Sequence, residues 1–180
     1  SASCKTQGEK KLGVALVGLG NYATLQLGPA LKLAQYCEFK GIVTGTPEKE
    51  TKWQEEYGIL RKHTYNYETF DQIANDPVID IVYIVLPNFM HAEYTIRALN
   101  AGKHVICEKP MGVDAEEGQA MVDACKKAGV KLLIGYRMHF EPKTVHVIQM
   151  RKDGEFGEVN FFQGQSGFRI GNPDQWRLDK

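Results

Sequence analysis

A lysine flanked by a carboxylate and a proline follows one of the short apolar runs of this chain. Glu108, Lys109 and Pro110 come directly after His104–Cys107, which has the length and composition of a buried strand. A residue before proline is held extended, and the neighbouring Glu108 is placed to change the proton affinity of the lysine. The carboxyl ends of parallel strands form the ligand crevice of an open sheet. The segment therefore predicts a reactive amine at such a crevice, and a solvated surface charge is the alternative for Lys109.

A glycine-rich turn lies upstream, between the apolar run 12–17 and a segment with helical spacing. Gly18 permits a tight turn, Gly20 lets a pyrophosphate approach the backbone, and Ala23 allows the helix to pack closely on the strand. The N–H groups of the helix N-terminus then face the phosphate oxygens. This context predicts a dinucleotide-binding site. Its residues in the turn are Gly18, Gly20, Asn21, Tyr22 and Ala23.

The end of the second apolar run decides between the two nicotinamide cofactors. An NAD site places Asp or Glu there to accept hydrogen bonds from the ribose 2′-hydroxyl. Here the run ends in the uncharged Thr44 and Gly45, and Lys49 follows as a point charge suited to a 2′-phosphate. The segment therefore favours NADP. In the alternative, Glu48 binds the ribose hydroxyls of NAD and Lys49 is a solvated surface charge.

A turn that contains proline and asparagine leaves the third apolar run. Leu86 and Pro87 end the run 79–86, because proline stops a strand. The Asn88 amide suits either a carboxamide ligand or the cap of the next helix. His91 is expected either to face the crevice or to lie in solvent at the helix start. We expect this turn to line the same crevice as the glycine-rich turn.

Strand and helix signals alternate up to about residue 136. Short apolar runs predict strands over 12–17, 39–43, 79–86, 104–107 and 131–136. Helical spacing, caps and glycine stops predict helices over 25–35, 47–57, 70–75, 90–101, 114–129 and 142–152. Such alternation requires right-handed crossovers and a parallel sheet covered on both faces. The predicted fold class is α/β, a Rossmann-like doubly wound parallel sheet.

The pattern changes after residue 136. Residues 157–168 alternate apolar and polar side chains like an exposed antiparallel strand, which needs partner strands to bury its apolar face. We expect a flexible arm over 1–11, a dinucleotide-binding domain over 12–137, and the beginning of a truncated α+β domain over 138–180. On this interpretation the chain is a fragment, or it needs another chain to complete its second domain.

Composition and charge exclude several classes of protein. The chain has 22 basic and 22 acidic side chains and a pI near 6.9, whereas a nucleic-acid binder shows a basic stripe. No apolar run approaches the roughly 20 residues that cross a bilayer. The cysteines lack CxxC spacing and are expected to be free thiols. His104 and Cys107 are three apart in a strand and face opposite sides, so they do not predict a metal site.

The first residues leave two cellular locations open. Residues 1–4 are Ser-Ala-Ser-Cys, and they resemble the end of a bacterial export signal or a lipid-attachment cysteine. This interpretation predicts a periplasmic protein. An ordinary disordered terminus on a cytoplasmic protein is the alternative.

Four motifs occur in order: Gly-Leu-Gly-x-x-Ala, Leu-Pro-Asn-x-x-His, Cys-Glu-Lys-Pro and Gly-Tyr-Arg, after the first, third, fourth and fifth predicted strands. Through them the chain resembles the glucose–fructose oxidoreductase and inositol dehydrogenase family, and within it the glucose–fructose oxidoreductase branch. The resemblance implies an NADP-dependent oxidoreductase that transfers a hydride between nicotinamide and a sugar. An NAD-dependent cyclitol or deoxy-sugar dehydrogenase is the alternative within the family. A non-catalytic dinucleotide-binding regulatory module is the alternative from another class.

The resemblance also implies roles for single residues. Lys109 would lie beside the nicotinamide and the sugar and assist proton movement at the reacting carbon. Gly45, Lys49 and Tyr67 would surround the adenosine 2′-phosphate. The residues implied on the nicotinamide side are Asn88, His91, Glu108, Arg137, Trp176 and Arg177, and the cofactor set also includes Thr44, Leu86 and Pro87. The catalytic acid and the sheet that supports dimerisation would follow Lys180, so a full-length homo-oligomer acting on a small sugar is expected.

Overall fold

A computed structural model describes residues 10–165 and 167, and it divides the chain into two compact units. The first unit ends at Tyr136, and the second begins at Arg137. The first unit contains one six-stranded sheet in the order β3-β2-β1-β4-β5-β6, and all neighbouring strands are parallel. Its strands are β1 Leu12–Val17, β2 Cys37–Val43, β3 Thr64–Tyr65, β4 Ile81–Ile84, β5 His104–Cys107 and β6 Leu132–Ile134.

Helices connect the strands and cover both faces of this sheet. They are α1 Gly28–Leu33, α2 Pro47–Tyr57, α3 His91–Asn100 and α4 Ala115–Ala128, with short 3-10 turns at Arg61–His63, Phe70–Asn75 and Asn88–Met90. The chain moves outward from β1 to β3 and then crosses back to β4, so the strand order reverses between β1 and β4. Ligands bind at this switch point in open α/β sheets. The predicted doubly wound parallel sheet is confirmed.

Two apolar cores lie on opposite faces of the sheet. Leu16 and Ile42 point into a core that α2 completes with Trp53, whose ring stacks on Tyr57 with centroids 4.8 Å apart. The neighbouring residues in each strand point the other way, because successive side chains of a strand alternate. They join the larger core, whose members include Val17, Val43, Ile84, Leu99, Val105 and Met121. Burial on both faces explains the continuous apolar runs of the sequence.

Local signals set the ends of the helices. Pro47 stands in the first turn of α2, and Gly58 ends that helix in the left-handed region with φ 68°. Asp114 Oδ1 accepts a hydrogen bond of 2.8 Å from the Glu117 N–H and caps α4. Gly129 ends α4 with φ 66°. The helices predicted over 47–57 and 114–129 are therefore confirmed with their caps.

The structure corrects several sequence-based boundaries. β3 has only two residues and was not predicted, because so short a strand shows no alternation. The first helical segment begins at residue 21, passes through a π-helical turn at Ala23–Leu27 and ends at Leu33, not at residue 35. The strand predicted over 79–86 is limited to β4, since Pro87 and the turn before it leave the ladder.

The second unit contains a 3-10 turn at Arg137–Phe140 and helix α5 at Pro142–Lys152. Glu141 caps α5, and its Oε2 accepts a hydrogen bond of 2.7 Å from the Thr144 N–H. Residues 157–165 form no strand, so the prediction for 157–168 is wrong over this described part, where no partner strand supplies the ladder. Within residues 10–165 and 167, no helix is long and apolar enough to cross a membrane.

Candidate cofactor and active site

The predicted site residues of the first unit meet at the carboxyl ends of its strands. The glycine-rich turn follows β1, Thr44 and Gly45 follow β2, Leu86 to Asn88 follow β4, and Glu108 and Lys109 follow β5. The first and third of these turns lie on the two sides of the switch point between β1 and β4. The topology thus brings together segments that are far apart in sequence.

The two glycines of the first turn differ in what surrounds them. Gly18 has φ +91°, and a Cβ there would lie 2.5 Å from the Val85 carbonyl oxygen. A side chain at Gly18 is therefore excluded by the fold itself. Gly20 is exposed, and a Cβ there would meet nothing within 4 Å. The space above Gly20 is open to a ligand, as a backbone that receives a pyrophosphate requires.

The helical segment that follows this turn starts from Gly20. The Gly20 carbonyl accepts hydrogen bonds from the Thr24 N–H and from Thr24 Oγ1, both 2.9 Å long. Asn21 is exposed, Tyr22 is half-buried, and Ala23 is fully buried against the sheet. A small residue at Ala23 allows close packing, as predicted from the motif.

The turn after β2 carries the residues expected at the adenosine end. Thr44 is buried, and its Oγ1 accepts a hydrogen bond of 3.2 Å from the Thr46 N–H. Gly45 faces the Tyr67 ring so closely that a Cβ there would lie 3.0 Å from that ring. Lys49 lies in the first turn of α2 with an exposed side chain. Gly45, Tyr67 and Lys49 thus surround a region with an amine, a phenol and no strand-end carboxylate.

Tyr67 is held in place by aromatic packing and by Arg97. Its ring contacts the Tyr94 ring edge-on at 5.5 Å, and burial raises the pKa of the Tyr67 hydroxyl. Arg97 Nη2 donates to the Tyr67 carbonyl at 3.4 Å, and the same guanidinium pairs with both carboxylate oxygens of Asp71. Its planar group lies over the rings of Phe70 and Tyr94. These contacts fix the backbone of Tyr67 and leave its hydroxyl protonated.

The turn after β4 places Asn88 at the crevice and His91 beneath it. Pro87 and Asn88 are half-buried, and Asn88 begins the 3-10 turn that precedes α3. His91 is only 1% exposed, with Nδ1 2.6 Å from the Pro110 carbonyl oxygen and Nε2 2.9 Å from the Leu86 carbonyl oxygen. His91 therefore neither faces the crevice nor lies in solvent at the helix start, the two positions expected from the sequence, because it is buried with both ring nitrogens within hydrogen-bonding distance of backbone carbonyl oxygens.

The Glu108 carboxylate pairs with a tyrosine and not with the neighbouring lysine. Glu108 Oε1 accepts a hydrogen bond of 2.8 Å from the Tyr83 hydroxyl. The pKa of this hydroxyl is raised, mainly by its burial and secondly by the bond to Glu108. Gly135 leaves room for this carboxylate, since a Cβ there would lie 3.0 Å from Glu108 Oε1. Lys109 is exposed and forms no hydrogen bond or ion pair with the described residues. The expected Glu108–Lys109 pairing is corrected accordingly.

Sequence reasoning did not identify Tyr83 as a site residue. Tyr83 is the one polar side chain in the predicted third strand other than Asp80, and that polar position in an apolar run was the available signal. Cys107 belongs to the same motif as Lys109, but it faces the core. Burial raises the pKa of the Cys107 thiol to about 11, so it is protonated at neutral pH and is not a nucleophile.

The other three predicted residues do not belong to the first unit. Arg137 is exposed and is the first residue of the second unit. Trp176 and Arg177 lie outside the described residues. The cluster at the carboxyl edge of the first unit is therefore the candidate site, with an open glycine backbone, an amine at each end and a half-buried carboxylate.

Comparison with known proteins identifies the family. Residues 12–136 match the oxidoreductase family with an NAD-binding Rossmann fold. The chain belongs to that family, and the resemblance predicted from its four motifs is confirmed. The matched segment ends where the first compact unit ends.

Relatives that are similar over much of the chain act on sugars and cyclitols. The chain is 33% identical to a D-xylose 1-dehydrogenase [NADP(+)] of Haloarcula marismortui over 179 residues, which are 97% of the chain and 49% of that protein. It is 30% identical over 81% of its length to an inositol 2-dehydrogenase/D-chiro-inositol 3-dehydrogenase of Lactiplantibacillus plantarum, of which it covers 41%.

A solved structure matches the fold closely. It is an aldose-aldose oxidoreductase from Caulobacter crescentus complexed with glycerol, with 45% sequence identity and a TM-score of 0.88. The match covers 94% of this chain and 50% of that one. The chain therefore spans about half the length of the relatives that it matches.

Proposed function

We propose that the protein is an NADP-dependent oxidoreductase that transfers a hydride between nicotinamide and a sugar, and that this chain is its cofactor-binding part. The observation that carries the proposal is the placement of an open glycine turn and an exposed, unpaired Lys109 at one edge of the same sheet. Membership of an NAD-binding oxidoreductase family and the names of the relatives support it. The activity and substrate of the whole protein are parts of this proposal.

The preference for NADP rests on the turn after β2. Thr44 and Gly45 offer no carboxylate to ribose hydroxyls, and Lys49 brings a positive charge to the first turn of α2. The Tyr67 ring packs over Gly45. A 2′-phosphate would meet the charge of Lys49 there, and no carboxylate stands at the strand end itself. The D-xylose dehydrogenase relative, whose name specifies NADP(+), supports the same choice.

The residues of the chain have distinct parts in the proposed reaction. A bound nicotinamide supplies the carbon that gives or receives the hydride. Gly18 and Gly20 let the pyrophosphate approach the N-terminus of the helical segment, and Asn88 offers amide groups to the carboxamide. Lys109 takes a proton from the sugar hydroxyl as the C–H hydride leaves, and it returns a proton in the reverse direction. General acid–base assistance of this kind contributes about 10²–10⁴ in rate.

A second candidate is an NAD-dependent cyclitol dehydrogenase. Glu48 is exposed in the first turn of α2, within one residue of Lys49, and its carboxylate suits ribose hydroxyls. The inositol dehydrogenase relative shows that the family includes enzymes named for cyclitols. A homo-oligomeric assembly and a periplasmic location remain predictions.

The full-length enzyme with a panel of aldoses and cyclitols tests the proposal. Reduction of NADP by an aldose should be measurable, whereas reduction of NAD by cyclitols should be at least about tenfold slower, a difference near 1.4 kcal/mol in barrier. Faster turnover of a cyclitol with NAD would favour the second candidate. Absence of hydride transfer with every sugar and both cofactors would contradict the proposal.

A further inference from the structure

We infer that His91 is a positioning residue whose buried imidazole joins the two turns of the proposed nicotinamide end. Nδ1 lies 2.6 Å from the Pro110 carbonyl oxygen and Nε2 lies 2.9 Å from the Leu86 carbonyl oxygen. One carbonyl follows β5 and the other follows β4. The inference rests on the proposed function, because it concerns how Lys109 is placed for that reaction. It gives His91 a role in holding the site and no direct contact with cofactor.

The position of His91 at the start of α3 explains how one ring reaches both turns. Helical side chains lean toward the helix N-terminus, so a side chain at the first residue extends back beneath the preceding turn. The two nitrogens lie at different corners of a rigid ring, and both meet acceptors. Either neutral tautomer donates to one carbonyl, and the doubly protonated ring donates to both.

The contact between His91 and the Pro110 carbonyl is important because the residues on each side of Lys109 are held by backbone contacts. On one side, the Glu108 N–H donates to the Ile84 carbonyl at 2.9 Å. On the other side, the Pro110 carbonyl is bound by His91. Pro110 has no N–H of its own, so its carbonyl is its only backbone hydrogen-bonding group. Within residues 10–165 and 167, the Lys109 side chain forms no hydrogen bond or ion pair of its own, so the hydrogen bonds of the flanking backbone carry most of the restraint on the amine.

Replacement of His91 would remove its contact with the Pro110 carbonyl. The next hydrogen bond after Pro110 is at Val113, whose N–H donates to Glu117 Oε2 at 2.9 Å, while Met111 between them packs against the larger core. Lys109 and Pro110 would then lose one restraint relative to β4. A misplacement of about 1 Å is enough to cost roughly 10²-fold in a positioned reaction. The expected effect is on hydride transfer rather than on binding at the distant adenosine end.

Two conservative variants separate the two hydrogen bonds. The amide nitrogen of asparagine takes the place of Nδ1, and that of glutamine takes the place of Nε2. His91→Asn should keep the Pro110 bond and hydride transfer within about fivefold of wild type. His91→Gln should keep only the Leu86 bond, and His91→Leu should keep neither, so both should lose about 30-fold to 10²-fold. His104→Asn is the matched control, because His104 lies at the opposite end of β5 and accepts only from the Lys131 N–H.

Single-turnover hydride transfer in the full-length enzyme at saturating NADPH is the readout, with NADPH affinity and unfolding temperature measured beside it. Rates for Gln and Leu variants equal to wild type would overturn the inference. The inference would also be overturned if His91→Asn and His91→Gln lowered the rate of hydride transfer equally and in proportion to their loss of unfolding temperature. That pattern would mean that His91 only stabilises the fold.

A measurement on the wild-type protein covers the case in which the variants do not fold. Nuclear magnetic resonance should show a His91 imidazole N–H that exchanges slowly with solvent, since the ring is buried and bound. A ring without any protected N–H would overturn the inference by itself. Failure of the wild-type enzyme to transfer hydride would instead contradict the proposed function, and the imidazole measurement would still show whether the His91 ring donates to a backbone carbonyl.

Discussion

The polar side chains at the two edges of the sheet differ in burial and in hydrogen bonding. At the amino ends of β3, β4 and β5, the Asp76 carboxylate accepts from the Tyr65 hydroxyl at 2.6 Å, from His63 Nδ1 and from the Val78 N–H. Lys103 Nζ donates to the Asp76 carbonyl at 2.8 Å, and all but Val78 are buried. At the carboxyl ends, Asn21, Lys49 and Lys109 are exposed and have no side-chain hydrogen bond to any of residues 10–165 and 167.

This difference separates polar groups that hold the fold from polar groups that we propose to bind a ligand. Buried polar groups are stable when they bind each other, as the four groups around Asp76 do. Groups that catalyse or bind must keep their hydrogen-bonding capacity for another molecule. His91 and Tyr83, whose polar atoms at the carboxyl edge do have partners, contact backbone carbonyls and the Glu108 carboxylate, respectively. The comparison therefore predicts which mutations change stability and which change activity.

Lys109→Ala is expected to have the largest effect, and that effect should be on activity alone. Removal of the amine should lower single-turnover hydride transfer in the full-length enzyme by about 10² or more. NADP affinity and unfolding temperature should change little, because Lys109 is exposed and forms no hydrogen bond or ion pair with the described residues. Lys131→Ala, which removes an exposed lysine at the amino end of β6, is the matched control. Equal rates for Lys109→Ala and the control would make Lys109 a surface charge.

Asp76→Ala should have the converse effect, on stability alone. It leaves the Tyr65 hydroxyl and His63 without their acceptor, which should lower the free energy of unfolding by about 3 kcal/mol. Chemical denaturation measures this change, and calorimetry of the folded variant should give wild-type cofactor affinity. Asp123→Ala is the control, since Asp123 is exposed and accepts only from Gln119. If Asp76→Ala had normal stability and weakened cofactor binding, the assignment of Asp76 to the fold and not to the cofactor site would be wrong.

The Asp76 network also predicts acid sensitivity. Burial disfavours the Asp76 carboxylate, but hydrogen bonds from Tyr65, His63 and the Val78 N–H outweigh it, so the pKa of Asp76 is lowered. A carboxyl with a lowered pKa in the folded state stabilises the protein above its unfolded pKa of about 3.9. That contribution is lost as the pH falls through the folded pKa. Unfolding free energy should therefore decline below about pH 4 in wild type and decline less in Asp76→Asn.

The two glycines of the first turn form a matched pair. Gly18→Ala should lower the free energy of unfolding by about 2 kcal/mol, because its Cβ meets the Val85 carbonyl and its φ is +91°. Gly20→Ala should leave stability within about 0.5 kcal/mol and weaken NADP binding about tenfold, since its Cβ occupies the open space. Denaturation and calorimetry on both variants check this. Unchanged NADP affinity in Gly20→Ala would mean that no pyrophosphate approaches there.

Tyr83→Phe is expected to have the smallest effect. The change removes one hydrogen bond to the Glu108 carboxylate, which should cost about 1 kcal/mol, or roughly fivefold in NADP affinity. The raised pKa of Tyr83 keeps its hydroxyl a donor across the neutral range. Tyr36→Phe, at an exposed tyrosine, is the control. A wild-type affinity in Tyr83→Phe would show that Glu108 needs no support from this bond.

Much of this fold follows from local pattern in the sequence. The buried strands appear as continuous apolar runs because both faces of the sheet are covered, and α2 and α4 end at glycines that adopt positive φ. β3 was missed because a two-residue strand has no period. The strand predicted over 157–168 was wrong in its described part, since alternation alone cannot supply a partner strand.

Only part of the candidate site could be predicted from the sequence. Motif context located the turns, because the carboxyl ends of parallel strands meet by topology. The pairing of Glu108 with Tyr83 joins residues 25 apart, and the pairing of His91 with Pro110 joins residues 19 apart. Nothing in the local sequence around Glu108 or His91 specifies those partners. From the sequence, Glu108 was expected to act on the neighbouring Lys109. The register of β4 against β5 instead brings Tyr83 close to Glu108, and the carboxylate binds the Tyr83 hydroxyl.

Isothermal titration calorimetry of this chain with NADPH and NADH, in wild type and in Lys49→Ala, tests the central claim most directly. The account predicts that wild type binds NADPH at least about tenfold more tightly than NADH, a difference near 1.4 kcal/mol. Lys49→Ala should lose most of that preference, and Lys52→Ala, an exposed lysine further along α2, should keep it. Equal affinity of wild type for the two cofactors, or a preference for NADH, would contradict the account.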